Sequence, residues 1–152
     1  MALQLVRFLG LLFVALAMAP ALAHLLELPN KIRLPREQYQ TVQQLYRGWS
    51  RLGVVVIAAM LATLVLLLMA RGHDGEFGWA LAAFVCILLT QFVFWVFTFP
   101  VNRATVNWTR LPENWGSLRR RWEYSHAASA GLNLIALISL IASVLSAVPV
   151  AA

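Results

Sequence analysis

The sequence predicts an all-α integral membrane protein: a single four-helix bundle over residues 1–152, with an amphipathic helix in the first cytoplasmic loop. Three observations predict it. Of 152 residues, 61% are hydrophobic and only 12% charged, more apolar surface than a soluble domain of this length buries. Four runs, about residues 5–26, 52–70, 79–100 and 127–148, are each long enough to cross a hydrocarbon core of about 30 Å as a helix. Their apolar residues come in unbroken stretches, not in the alternating segments of about ten residues that a membrane β-barrel shows.

The first run, Leu5 to Leu26, is interrupted by Arg7 near its start and His24 near its end. Ala21-Leu22-Ala23 is an A-x-A pattern that a signal peptidase could cut before His24. The basic residues argue against that reading. Lys31, Arg33, Arg36, Arg47 and Arg51 follow the first run, while Arg103, Arg110, Arg119, Arg120 and Arg121 follow the third. The short link Arg71 to Gly78 sets one arginine against Asp74 and Glu76. Ten of the 12 basic residues therefore share one side. The positive-inside tendency places that side in the cytoplasm and both termini outside, as in a multi-pass protein of a bacterial inner membrane. Cleavage after Ala23 would export all ten. The pI of 10.8 follows from the same loops, which suit an anionic lipid surface and give no indication of nucleic acid.

In the first loop, Leu34-Pro35-Arg36-Glu37 has the form of a helix start. Tyr39, Val42, Tyr46 and Trp49 then recur at steps of three and four, which predicts a helix lying on the cytoplasmic surface and running into the second span. Leu52 to Ala70 contains no ionisable group, and the single cysteine, Cys86, lies inside the third span, so no intramolecular disulfide forms. The third loop carries Trp108, Trp115 and Trp122 at intervals of seven, with Pro112 and Gly116 between them breaking the helix. The plain reading of Trp108 and Trp115 is an interfacial aromatic belt.

Polar residues inside spans cost free energy in lipid and usually face protein. Gln91, Trp95, Thr98 and Asn102 follow helical spacing down one face of the third span. Trp122, His126, Ser129 and Asn133 do the same in the fourth, and His24, Glu27 and Lys31 in the first. Three polar stripes thus converge at one membrane level, which makes that level the candidate site. The structural alternative is that Gln91, Ser129 and Asn133 are helix-to-helix hydrogen-bond partners worth about 0.6 kcal/mol each, with Glu27 and Lys31 an ordinary i, i+4 ion pair. A second alternative is a metal. His24-x-x-Glu27 and Glu123-x-x-His126 are mirror-image spacings of the kind that helix bundles use for metal ligation, and haem between His24 and His126 is a variant of it.

Phe99-Pro100-Val101-Asn102, and the stretch Arg121-Trp122-Glu123-Tyr124-Ser125-His126, resemble the anthrone oxygenase family of small four-span membrane proteins. The shared elements are Pro-x-Asn after the third span and Trp-x-x-x-His at the fourth. Ala23-His24-Leu25-Leu26-Glu27-Leu28-Pro29-Asn30-Lys31 also resembles bacterial members. Ser129 departs from the pattern, since many relatives carry arginine there. The resemblance implies a cofactor-free monooxygenase that converts an anthrone methylene to a quinone carbonyl with dioxygen. On that reaction His126 is the base, Trp122 a stacking platform and Asn102 a donor to the developing oxyanion; His24, Glu27, Asn30, Gln91, Trp95, Trp108 and Asn133 are the candidates for binding a small hydrophobic substrate or supporting the site. A non-catalytic partner subunit of another membrane protein is the remaining alternative.

Overall fold

A computed structural model describes residues 1–146 apart from the side chain of Asp74. Helix α1 spans Ala2–Lys31, α2 Arg36–Gln43, α3 Gly53–Met69, α4 Asp74–Val93, α5 Phe99–Ala104 and α6 Trp115–Ser146. A 3-10 turn, Trp49–Leu52, extends α3 backward, and a π-helical turn, Phe94–Thr98, joins α4 to α5. Four helices are therefore long and apolar enough to cross a membrane: Ala2–Lys31, Trp49–Met69, Gly75–Ala104 and Trp115–Ser146. Each contains the run expected from sequence, save that the second ends one residue early, at Met69, and that positions 147 and 148 of the fourth lie outside the described residues.

Successive long helices alternate in direction. α6 packs along α4 and α1, and α3 closes the far side against both. Lipid tails are as apolar as leucine, so helix association in a membrane depends on close packing and polar contacts more than on apolar burial. The sequence supplies small residues where that contact is made. Ala17, Ala21, Ala59, Ala80, Ala83 and Ala136 are buried between helices around Val14, Leu66, Ile87 and Leu140. Leu5, Phe8, Leu61, Phe92 and Ile138 point outward.

Two ends result. The link end holds the start of α1, residues 70–73 and the last turns of α6. There Arg7 meets Glu76 through two hydrogen bonds of 2.8 and 2.7 Å, so the arginine that interrupts the first span is paired. The loop end holds residues 32–52 and 105–114, and part of its basic charge joins the loops. Arg36 donates to the Leu111 carbonyl at 2.6 Å, and Arg119 to that of Leu34 at 2.7 Å.

The first loop differs from expectation. α2 has eight residues, and the chain then turns through Gln44–Tyr46 and Gly48 before Trp49. Gly48 sits at φ 86°, a left-handed position that ends any continuous helix into the second span. Tyr39 is fully buried, facing protein where a surface helix would offer it to lipid headgroups. The apolar spacing located the helix; the partner of its apolar face is the bundle.

The third long helix is interrupted for an identifiable reason. Pro100 has no N–H to donate to the Val96 carbonyl four residues earlier. Arg121 of α6 donates to that carbonyl instead, and Thr98 Oγ1 hydrogen-bonds Ser125 Oγ at 2.8 Å. The π-turn is thus pinned to α6, and α5 leaves it with Asn102 turned toward Trp122.

Candidate functional site

Helical spacing puts His24, Glu27 and Lys31 on one face of α1, and Trp122, Glu123 and His126 on adjacent turns of α6. The two sets meet at the loop end with Lys31 between them. Its Nζ donates to His24 Nδ1 at 3.0 Å, to Glu27 Oε2 at 3.1 Å and to the Tyr46 hydroxyl at 3.1 Å. It also lies 3.3 Å from Glu123 Oε2, an ion-pair contact without hydrogen-bond alignment. Lys31 is 3% exposed, and burying a lysine to that extent requires this set of partners.

Two tyrosines complete the surroundings of the carboxylates. Tyr39 donates to Glu123 Oε1 at 2.8 Å, and Tyr46 donates to the Glu27 carboxylate. Burial, and then the charge of Glu123, push the Tyr39 hydroxyl far above the usual phenol range. Burial and the hydrogen bond to Glu27 do the same for Tyr46. Both phenols therefore remain proton donors at any physiological pH.

Aromatic rings close over this polar layer. His24 and His126 have ring centroids 4.4 Å apart, and Trp122 stands 4.2 Å from His126 and 4.9 Å from His24. The Trp122 indole donates to Asn102 Oδ1 at 2.9 Å, leaving the Asn102 amide nitrogen free of that bond. Trp108 is buried against Tyr39 and Trp122, at centroid distances of 5.1 and 5.8 Å, and is no belt residue. His126 Nε2 is buried without a hydrogen-bond partner among the described residues. Beside Asn102, an open hollow of about 250 Å³ is lined by Phe99, Asn102, Arg103, Val106 and Asn107.

The convergence expected from sequence is therefore largely present. His24, Glu27, Asn102, Trp108, Trp122, Glu123 and His126 form one contiguous cluster. Four other candidates stand apart from it. Gln91 bonds the neighbouring Thr90 hydroxyl at 3.3 Å, and Trp95 is 59% exposed beside Phe94 and Phe99. Asn30 is exposed, and Asn133 is buried with its amide donating to the Ser129 carbonyl of its own helix. Lys31 and the two tyrosines are the residues whose importance the sequence understated. Lys31, seven residues after His24, was visible on the stripe; Tyr39 meets a carboxylate 84 positions away, which no local spacing announces.

The metal alternative fits these side chains poorly. Among the described residues no three His, Cys, Asp or Glu side chains are placed to hold one ion, and the centre of His24, Glu27 and Glu123 is taken by the Lys31 ammonium. Two imidazoles on opposite sides of one metal need about 2 Å per metal–nitrogen bond plus a ring radius each, or about 6 Å between centroids. His24 and His126 are closer than that.

Comparison of the chain with family models, with curated protein sequences and with solved structures finds no match.

Proposed function

We propose that the protein is a multi-pass membrane oxygenase in which His126 removes a proton from a flat, hydrophobic, phenolic or anthrone-like substrate. The observation that carries the reading is His126 Nε2, a buried ring nitrogen without a hydrogen-bond partner among the described residues, flanked by an indole and facing α1 across the bundle. A neutral imidazole with a free nitrogen is the commonest protein base near neutral pH. Trp122 offers a ring face for stacking. Asn102, oriented by its bond to Trp122, offers an N–H to a carbonyl oxygen as that oxygen gains negative charge.

The chemistry balances without a cofactor. The base takes one proton from an activated methylene, and the resulting carbanion gives electrons to dioxygen and forms a C–O bond. The hydroperoxide then loses its second C–H proton as the O–O bond breaks, yielding a ketone and water. The carbanion itself reduces dioxygen. In this reading the ten basic residues set the loop end in the cytoplasm, both termini lie outside, and the bilayer of a bacterial inner membrane delivers the substrate.

The test is oxygen uptake by purified protein with an anthrone-type substrate. His126→Ala and His126→Gln should each lose about 10²- to 10⁴-fold in rate while keeping the thermal stability of the parent. Full activity in both variants removes His126 as the base and the reading with it.

A further inference from the structure

We infer that Lys31 is a positioning residue: it fixes His24 as the Nε2–H tautomer, leaving His126 the proton-accepting member of the histidine pair. The inference rests on the reading of His126 as a base, and its own evidence is separate. An ammonium has protons only to give, so a His24 Nδ1 at 3.0 Å from Lys31 Nζ must present a lone pair. The proton of that neutral imidazole is then on Nε2. The choice of tautomer comes from the partner, which has no acceptor state, and not from an assigned hydrogen position.

Neither group has an easy alternative. The other two Lys31 protons go to Glu27 Oε2 and the Tyr46 hydroxyl, and Glu123 Oε2 holds the ammonium from the α6 side. The His24 ring is wedged between Tyr46, at a centroid distance of 4.5 Å, and Trp122, at 4.9 Å, so a ring flip would have to displace aromatic neighbours. Against it lies His126, whose Nε2 has no hydrogen-bond partner among the described residues. Two adjacent neutral histidines would otherwise be free to exchange donor and acceptor roles. One fixed N–H on His24 removes that freedom and assigns the basic role to its neighbour.

The test reads the tautomer directly. Full-length protein labelled with ¹⁵N-histidine is placed in lipid nanodiscs, and the His24 signals are identified by their loss in His24→Gln. Wild-type His24 should show an unprotonated Nδ1 and a protonated Nε2. In Lys31→Met the Nδ1–H form should appear alongside, and kcat for oxygen uptake should fall about 10- to 100-fold at unchanged KM, the cost of losing a group that orients an imidazole. A wild-type His24 protonated at Nδ1 overturns the inference, and does so without any variant having to fold. A Lys31→Met protein with the wild-type ¹⁵N pattern, or with a shifted pattern and full kcat, overturns it as well. Failure of the base assignment is seen elsewhere, in fully active His126 variants.

Discussion

The two ends of the bundle each hold a cation from α1, Arg7 half-buried and Lys31 buried, and they satisfy it in opposite ways. At the link end the Arg7 guanidinium meets both Glu76 oxygens at 2.8 and 2.7 Å, and Ser143 caps the Glu76 carbonyl at 3.3 Å. Planar donor and planar acceptor match, and the pair closes on itself. At the loop end one ammonium is divided among His24, Glu27, Tyr46 and Glu123. That arrangement leaves polar atoms over: among the described residues Glu123 Oε2 lacks an aligned donor and His126 Nε2 has no hydrogen-bond partner. A saturated ion pair fastens helices together and has nothing left to offer a ligand. A shared cation holds four groups in register and leaves neighbouring lone pairs available, which is what a site for proton transfer requires.

The largest expected effect breaks the link end. Glu76 is 3% exposed and Arg7 18%, so Glu76→Ala leaves a half-buried guanidinium without its carboxylate. Removing one partner of a buried pair typically costs about 3–5 kcal/mol, while replacing both by apolar residues is often neutral. Glu76→Ala should lose stability on that scale in reversible unfolding from detergent, and the double variant Arg7→Met, Glu76→Leu should recover most of it. The His24 and His126 signals should be unchanged in the double variant. A loss below about 1 kcal/mol for the single variant would show that the pair is not what fastens this end.

A smaller effect is expected from Tyr39→Phe at the loop end. The substitution keeps the ring packed on Trp108 and deletes the donor to Glu123 Oε1, a carboxylate 1% exposed. Leaving a buried acceptor unsatisfied costs about 1–3 kcal/mol. Lys31 would then carry more of the Glu123 charge, so the variant should also loosen the bond from Lys31 to His24. Denaturation and the His24 ¹⁵N spectrum measure both consequences, and an unchanged stability would mean that Glu123 is satisfied by Lys31 alone.

The difference between the ends also explains what was legible in the sequence. The four spans are written in uninterrupted apolar runs, because a hydrocarbon solvent enforces one rule along every turn. His24, Trp122 and His126 were legible for the same reason: a polar residue in such a run needs protein around it. Asn102 was legible as the last member of the third span's polar stripe, while the bend before Pro100 was not read from it. Pairings between distant segments were not legible. Arg7 read as an interruption because Glu76 is 69 positions away, and Tyr39 read as a membrane-surface residue because its spacing is the same whether lipid or α6 covers that face. Gln91 and Trp95 show the opposite error. They share helical spacing with Asn102, but the π-turn at Phe94–Thr98 shifts the register and leaves Trp95 59% exposed.

The smallest expected effect concerns backbone strain. The link end makes its left-handed turn with a glycine, Gly72 at φ 88°, where it costs nothing. The third loop makes its turn with Val106, Asn107 and Trp108 at φ 49°, 52° and 61°. A β-branched residue in that region costs about 1–2 kcal/mol, offset here by amide bonds from Asn107 to the Asn102 carbonyl at 2.7 Å and from Trp108 to the Thr105 hydroxyl at 3.1 Å. Val106 is 56% exposed, so its side chain contributes little packing in return. Val106→Gly removes the steric cost and adds unfolded-chain entropy, and the balance should be a gain of about 0.5 kcal/mol. Strain kept at a functional site usually holds a group in place. Here the turn sets Trp108 under Tyr39 and carries Asn107 to the hollow beside Asn102, so the same variant should lower oxygen uptake as the turn relaxes. Stability and rate moving in opposite directions would mark the loop end as strained for function. A variant that loses stability would show instead that the surrounding bonds, and not the identity of residue 106, already make the left-handed turn the relaxed conformation.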